Sequence, residues 1–174
     1  MEEPLAFDAT PLIYLARADR LVPVAGLADE CLVPEPVYDE VVTEGLDAGY
    51  PDARRIEAVV EADHLSVREM PESDFADRLQ RNDGLSDADV AVLAVAAATD
   101  GTAIMDERRG RQVARVEETP VHGTAFLILA LLRDDVLDRQ ETLGTVDEML
   151  DAGWHCSTDL YARSRDRIEA LDDA

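Results

Sequence analysis

The stretch Thr102–Ala114 reads TAIMDERRGRQVA, and its interpretation decides the fold. A short apolar run, Ala103-Ile104-Met105, stops at Asp106, and a charged segment of helical character follows at once. Where strands alternate with helices, that order puts Asp106 at the carboxyl end of a buried parallel strand. Open α/β sheets build their ligand sites at that edge. A carboxylate there is costly to desolvate unless something positive stands beside it.

Working outward, Leu5-Ala6-Phe7-Asp8 is a second short apolar run closed by aspartate. Further strands are expected at Glu30–Val33, His64–Val67 and Thr119–Val121. Helices are expected from Pro11 to about Arg20, as a turn at Ala25–Asp29, and from Pro36 to a stop at Gly45. Four more follow at Arg54–Ala62, Phe75–Arg81, Val90–Ala98 (closed by Gly101) and Glu107–Val116. The last three are Thr124–Arg133, about Gln140–Ala152, and Thr158–Leu171. Val90–Ala98 is apolar nearly all round, as a helix buried against a sheet should be. The alternation predicts an α/β fold with a central parallel sheet covered on both faces. At 174 residues it predicts one domain over 1–174, with helices from about 139 to 171 packing on it.

Composition narrows the class. Apolar residues make up 47% of the chain, enough to exclude an acidic disordered tail. No apolar run reaches the roughly 18–20 residues that span a bilayer. The acidic start MEEPLAFD lacks a basic leader segment, so a cytoplasmic location is expected. Cys31 and Cys156 lie far apart and belong to no C-x-x-C pair, which predicts reduced thiols. His64, His122 and His155 are equally scattered and read as surface or core residues. Thirty-nine acids against sixteen bases, every base an arginine, give a net charge of −23. Such a chain repels itself at low salt, and concentrated salt screens that repulsion. The composition reads as the surface of a protein from a salt-loaded cytoplasm and does not exclude an anionic substrate.

Several acids have reason to converge. Asp8 and Asp106 end strands, Glu40 lies early in the helix after the second strand, and Asp87 and Asp89 open the buried helix before Asp106. Three or four carboxylates in a cleft cannot all ionise without a cation. An all-oxygen set suits Mg²⁺ or Mn²⁺, and such a centre serves phosphodiester hydrolysis. Each acid also has a bland reading. Ser86 followed by Asp89 resembles a capping box, and Asp87 and Asp89 both suit a helix N-terminus. Glu40 can be an outer helix face, with Glu44 as its alternative. Asp8 and Asp106 have no such explanation. Arg108, Arg109 and Arg111 read either as contacts to substrate phosphates or as ordinary surface pairs.

These segments, in order, resemble a PIN domain, the fold of metal-dependent nucleases that includes the VapC-type toxins. FDATPLIYLAR looks like the first motif, implying Asp8 as metal ligand with Thr10 as its supporting hydroxyl. VPEPVYDEVV resembles the second, placing its acid at Glu40. LSDADVAVLAVA resembles the third, placing the ligand at Asp89 with Asp87 outside the motif. TAIMDERRGRQVA resembles the fourth, with Asp106 as its aspartate and Glu107 where many members carry a second acid. The tail, VHGTAFLILALLRDDVL and TVDEMLDAGWHCSTDLYARSRD, resembles one prokaryotic branch. That branch commonly has Gly-Glu where this chain has Ser-Asp-Ala-Asp, so Asp87 and Asp89 both stay candidates. The resemblance implies a three-layer α/β/α fold. It also implies RNA cleavage with metal held by Asp8, Asp89 and Asp106, a small antitoxin partner and a homodimer. The residues alone do not select RNA over DNA. A non-catalytic scaffold binding protein or nucleic acid is the rival. An aspartyl-phosphate protein would need a second aspartate where Thr10 stands, and a receiver domain a late lysine.

Overall fold

The computed structural model describes residues 1 and 3–171; Glu2 of the acidic start and residues 172–174 of the expected domain lie outside them. The run Leu5–Phe7 is strand β1, fully buried. It pairs in parallel with β2 (Cys31–Pro34) on one side and β4 (Thr102–Ile104) on the other. β3 (Ser66–Arg68) lies outside β2 and β5 (Val121–His122) outside β4, so the order is β3-β2-β1-β4-β5, all parallel. Helices cover both faces, giving the expected three layers. Among the described residues no helix is long and apolar enough to cross a membrane.

Helix α1 (Ala9–Arg17) starts directly after β1, and α2 (Leu21–Ala25) follows. The segment after β2 is α3 (Glu35–Tyr38), a π-helical stretch Asp39–Glu44, and α4 (Gly45–Asp47). α5 (Pro51–Glu61) and α6 (Asp74–Gln80) flank β3, and α7 (Asp87–Ala98) leads into β4. α8 (Arg108–Val116), α9 (Thr124–Arg133), α10 (Arg139–Asp151) and α11 (Thr158–Leu171) complete the chain. α7 lies against β1, β2 and β4, and every residue from Asp89 to Ala96 is buried. α10 and α11 both pack on α9. One apolar cluster joins Phe7, Leu12, Leu32, Leu93, Ile104 and Leu127.

Several expected boundaries shift for physical reasons. Gly45 does not stop its helix: a Cβ there would sit 2.8 Å from Ala53 Cβ, so the glycine lets two helices touch. The turn expected at Ala25–Asp29 is instead Leu21–Ala25, and the helix expected from Arg54 begins at Pro51, a residue suited to the first turn. Gly101 does not terminate α7. That task falls to Asp100, left-handed at φ 51°, as acids at 19, 63, 118 and 135 do behind α1, α5, α8 and α9. Gly101 serves contact instead, because a Cβ there would stand 2.5 Å from the Pro4 carbonyl oxygen.

Gly101→Ala should therefore destabilise the protein by about 1–3 kcal/mol in urea unfolding, through forced backbone movement at β4. Gly144→Ala, in α10 where an added Cβ meets nothing within 4 Å, should stabilise it by about 0.5–1 kcal/mol. Equal shifts for the two variants would contradict this account.

Candidate active site

Asp8 caps α1, its side chain accepting a 2.8 Å bond from Ala9 N–H, and the residue is only 8% exposed. Burial pushes its carboxyl from 3.8 up to about 7; the Ala9 bond opposes the rise, and Asp89, Glu40 and Glu107 add to it. No basic group is among the causes. Asp89 is equally buried, in the third position of α7. Its Oδ2 closes a capping box, accepting from Ser86 N at 2.8 Å and Ser86 Oγ at 2.9 Å. Its Oδ1 faces α8, where a Cβ on Gly110 would come within 3.4 Å of it and 2.6 Å of Met105 Cε. Gly110 thus admits α8 to close packing over the acid. Glu40 stands on the π-helical turn, a local widening often found at functional sites. Although exposed as a residue, its carboxyl is pushed up by partial burial, then by Glu44 and Asp89.

The structure brings Asp89, Glu40 and Glu107 to bear on Asp8 and gives Asp106 different company. β1 and β4 pair Phe7 with Ile104, and β4 and β5 pair Ile104 with His122. Carried past the strand ends, that register sets Asp8 level with Met105 and Asp106 level with Thr124. Side chains one position apart in register leave a sheet on opposite faces. Asp106 accordingly accepts from Thr124 N at 2.7 Å on Oδ1, and from Thr124 Oγ1 and Trp154 Nε1, both at 2.8 Å, on Oδ2. Glu107, one residue on, is among the acids that raise the Asp8 carboxyl. Gly123 makes this arrangement fit: a Cβ there would lie 2.9 Å from Asp106 Oδ1 and 3.0 Å from Arg111 Nη1.

Of the remaining expected residues, Thr10 is half-buried in the first turn of α1, and Asp87 is exposed in the first turn of α7. The three arginines separate. Arg108 and Arg111 line a cleft of about 580 Å³ beside Asp106. Arg109 lies elsewhere, its guanidinium on Gly84 in a depression shared with Asn82 and Gln112. Thr124 and Trp154 are functional candidates whose pairing with Asp106 no spacing rule reveals, since 18 and 48 residues separate them from it. Cys31 is buried and Cys156 half-buried, both as free thiols.

A family model described as a PIN domain matches residues 4–170. The chain belongs to the PIN domain family. No curated protein matches it at a meaningful level of similarity. PIN domains are generally nucleases that act on nucleic acid and typically use divalent metals. Among the described residues no three acids, histidines or cysteines form a ready-made metal cage. The donor chemistry nevertheless fits a hard cation: the charged groups acting on the desolvated Asp8 carboxyl of this PIN domain are acids, which is the environment a divalent ion neutralises.

Asp8 yields a pH signature. With its folded pKa raised from 3.8 to about 7, the native state holds a proton that the unfolded chain has lost between those values. Stability from this group is therefore fully present below about pH 4 and declines as pH rises through 7, by on the order of 4 kcal/mol at most. In urea titrations with EDTA at constant KCl, wild type should lose stability from pH 5 to 8, and Asp8→Asn should lose distinctly less. Trp154→Phe, which removes one of three donors to Asp106, should cost about 1–3 kcal/mol in the same measurement.

Proposed function

We propose that this PIN domain protein is a Mg²⁺- or Mn²⁺-dependent endoribonuclease whose cation is held by Asp8, Asp89 and Glu107. The observation that carries this reading is the buried Asp8 carboxyl, raised to about 7, on which the charged groups that act are the acids Asp89, Glu40 and Glu107. Sequence alone put Asp106 in the third ligand position. The action of Glu107 on the Asp8 carboxyl supports that acid in the position, while Asp106 accepts bonds from Thr124 and Trp154 and lines the cleft. When bound, the metal supplies an activated water and neutralises charge on the scissile phosphate. Glu40, on its widened turn, would orient that water. The resemblance to VapC-type toxins supports two finer assignments, a small antitoxin partner and a homodimer. The all-arginine, strongly acidic composition supports work in a salt-rich cytoplasm.

One observation favours a non-catalytic scaffold: Asp89 Oδ2 and both oxygens of Asp106 already accept bonds from the protein. Calorimetry separates the two readings, because the scaffold predicts no Mn²⁺ binding at millimolar concentration.

Cleavage of a structured RNA in concentrated KCl with Mn²⁺ tests the enzyme. Asp8→Asn and Glu107→Gln should each lower the rate by more than about 100-fold, the consequence of removing several kcal/mol of charge stabilisation. Asp106→Asn should cost less. Undiminished cleavage by Asp8→Asn would end the nuclease reading, and loss in Asp106→Asn with none in Glu107→Gln would return the ligand role to Asp106.

A further inference from the structure

The chain carries a net charge of −23, yet five of its sixteen arginines line one cleft. One wall is α8, with Arg108, Arg111 and Arg115; the other is α11, with Arg163 and Arg167. Asp106 is the one acid among the lining residues. Chance alone would surround each of these arginines with carboxylates. Arg163 does pair with Asp159 at 2.6 Å on its own helix. Among the described residues, Arg108, Arg111, Arg115 and Arg167 make no ion pair or side-chain hydrogen bond, and the buried Nε of Arg111 lacks any partner. Unpaired cations gathered in an acidic protein repel one another, which is unfavourable unless an anion joins them.

The lining of the same cleft carries a second signal. His122 and Phe126 stack face to face, with centroids 3.7 Å apart and an interplanar angle of 7°. Burial first, and then Arg111, push the His122 imidazole down from its usual value, which favours the neutral ring at pH 7. A flat neutral pair beside several guanidinium groups is the combination that takes bases and phosphates together. An acidic peptide would use the arginines and have no use for the stack. A duplex offers phosphates while keeping its base faces stacked on each other.

We propose that the cleft between α8 and α11 binds single-stranded nucleic acid, its phosphates on Arg108, Arg111, Arg115 and Arg167 and a base on the His122–Phe126 stack. Asp106 and Glu107 are consecutive, so a strand lying in this cleft arrives at the acid cluster. The proposal rests on the nuclease reading for its purpose, and binding without metal tests it separately.

Fluorescence anisotropy with fluorescein-labelled oligouridylate and oligothymidylate, each of about 12 nucleotides, reads the interaction in EDTA, where no metal-dependent cleavage occurs. Wild type should bind either or both single strands and prefer them to a duplex of equal length. Arg115→Glu and Arg167→Glu should each weaken binding by about 10-fold and lower the salt slope by about one. Arg54→Glu, the same charge change on an exposed position of α5 far along the chain, should have little effect. Phe126→Leu keeps an apolar side chain and should lose most of the single-strand preference. The assignment fails if no strand binds, if duplex binds as well as single strand, if Arg54→Glu matches the cleft variants, or if polyglutamate displaces the strand as readily as unlabelled oligouridylate. Failure of the nuclease reading would appear instead as absence of Mn²⁺-dependent cleavage with binding intact.

Discussion

The parallel pairing of β1 with β4 is the constraint on which the site depends. Phe7 lies opposite Ile104, and the ladder continues through the Asp8 N–H to the Ile104 carbonyl at 3.0 Å. This register brings two acid-ended strands side by side at one sheet edge. It also offsets their acids by one position. Asp8 turns towards α7 and Asp89, while Asp106 turns towards β5 and the start of α9. The rest of the edge is built around that division.

Each side is completed by contacts that only small residues permit. Gly110 lets α8 lie over Met105 and Asp89, and Gly123 lets Asp106 and Arg111 share the space beside the β5–α9 turn. On the acid side, like charges and burial act together on Asp8. On the other side, three donors hold Asp106, and guanidinium groups fill the cleft beyond it. Negative and positive regions therefore meet along a single turn, Asp106–Arg108. In the proposed reading, a polyanionic strand would be held on one flank and meet a cation on the other.

The C-terminal helices take part in this arrangement. Trp154, between α10 and α11, donates directly to Asp106, and α11 supplies the second wall of the cleft. Both helices pack on α9, whose first residue, Thr124, is the other partner of Asp106. The tail thus reaches the sheet edge through the Asp106 carboxylate.

What the sequence by itself determined is local and periodic. The alternation of short apolar runs with amphipathic stretches dictated a parallel sheet with helices on both faces, because buried strands and half-buried helices have different periods. The same reading located Asp8, Glu40, Asp89 and Asp106 at strand ends and helix starts, and the capping box at Ser86 and Asp89. Tertiary structure alone decided which of these acids influence one another. Strand register is set between chain segments about a hundred residues apart, and a shift of one position reverses the face on which a side chain stands. For the same reason no spacing rule could pair Asp106 with Trp154, separate Arg109 from Arg108 and Arg111, or join Arg115 to Arg167 across a cleft.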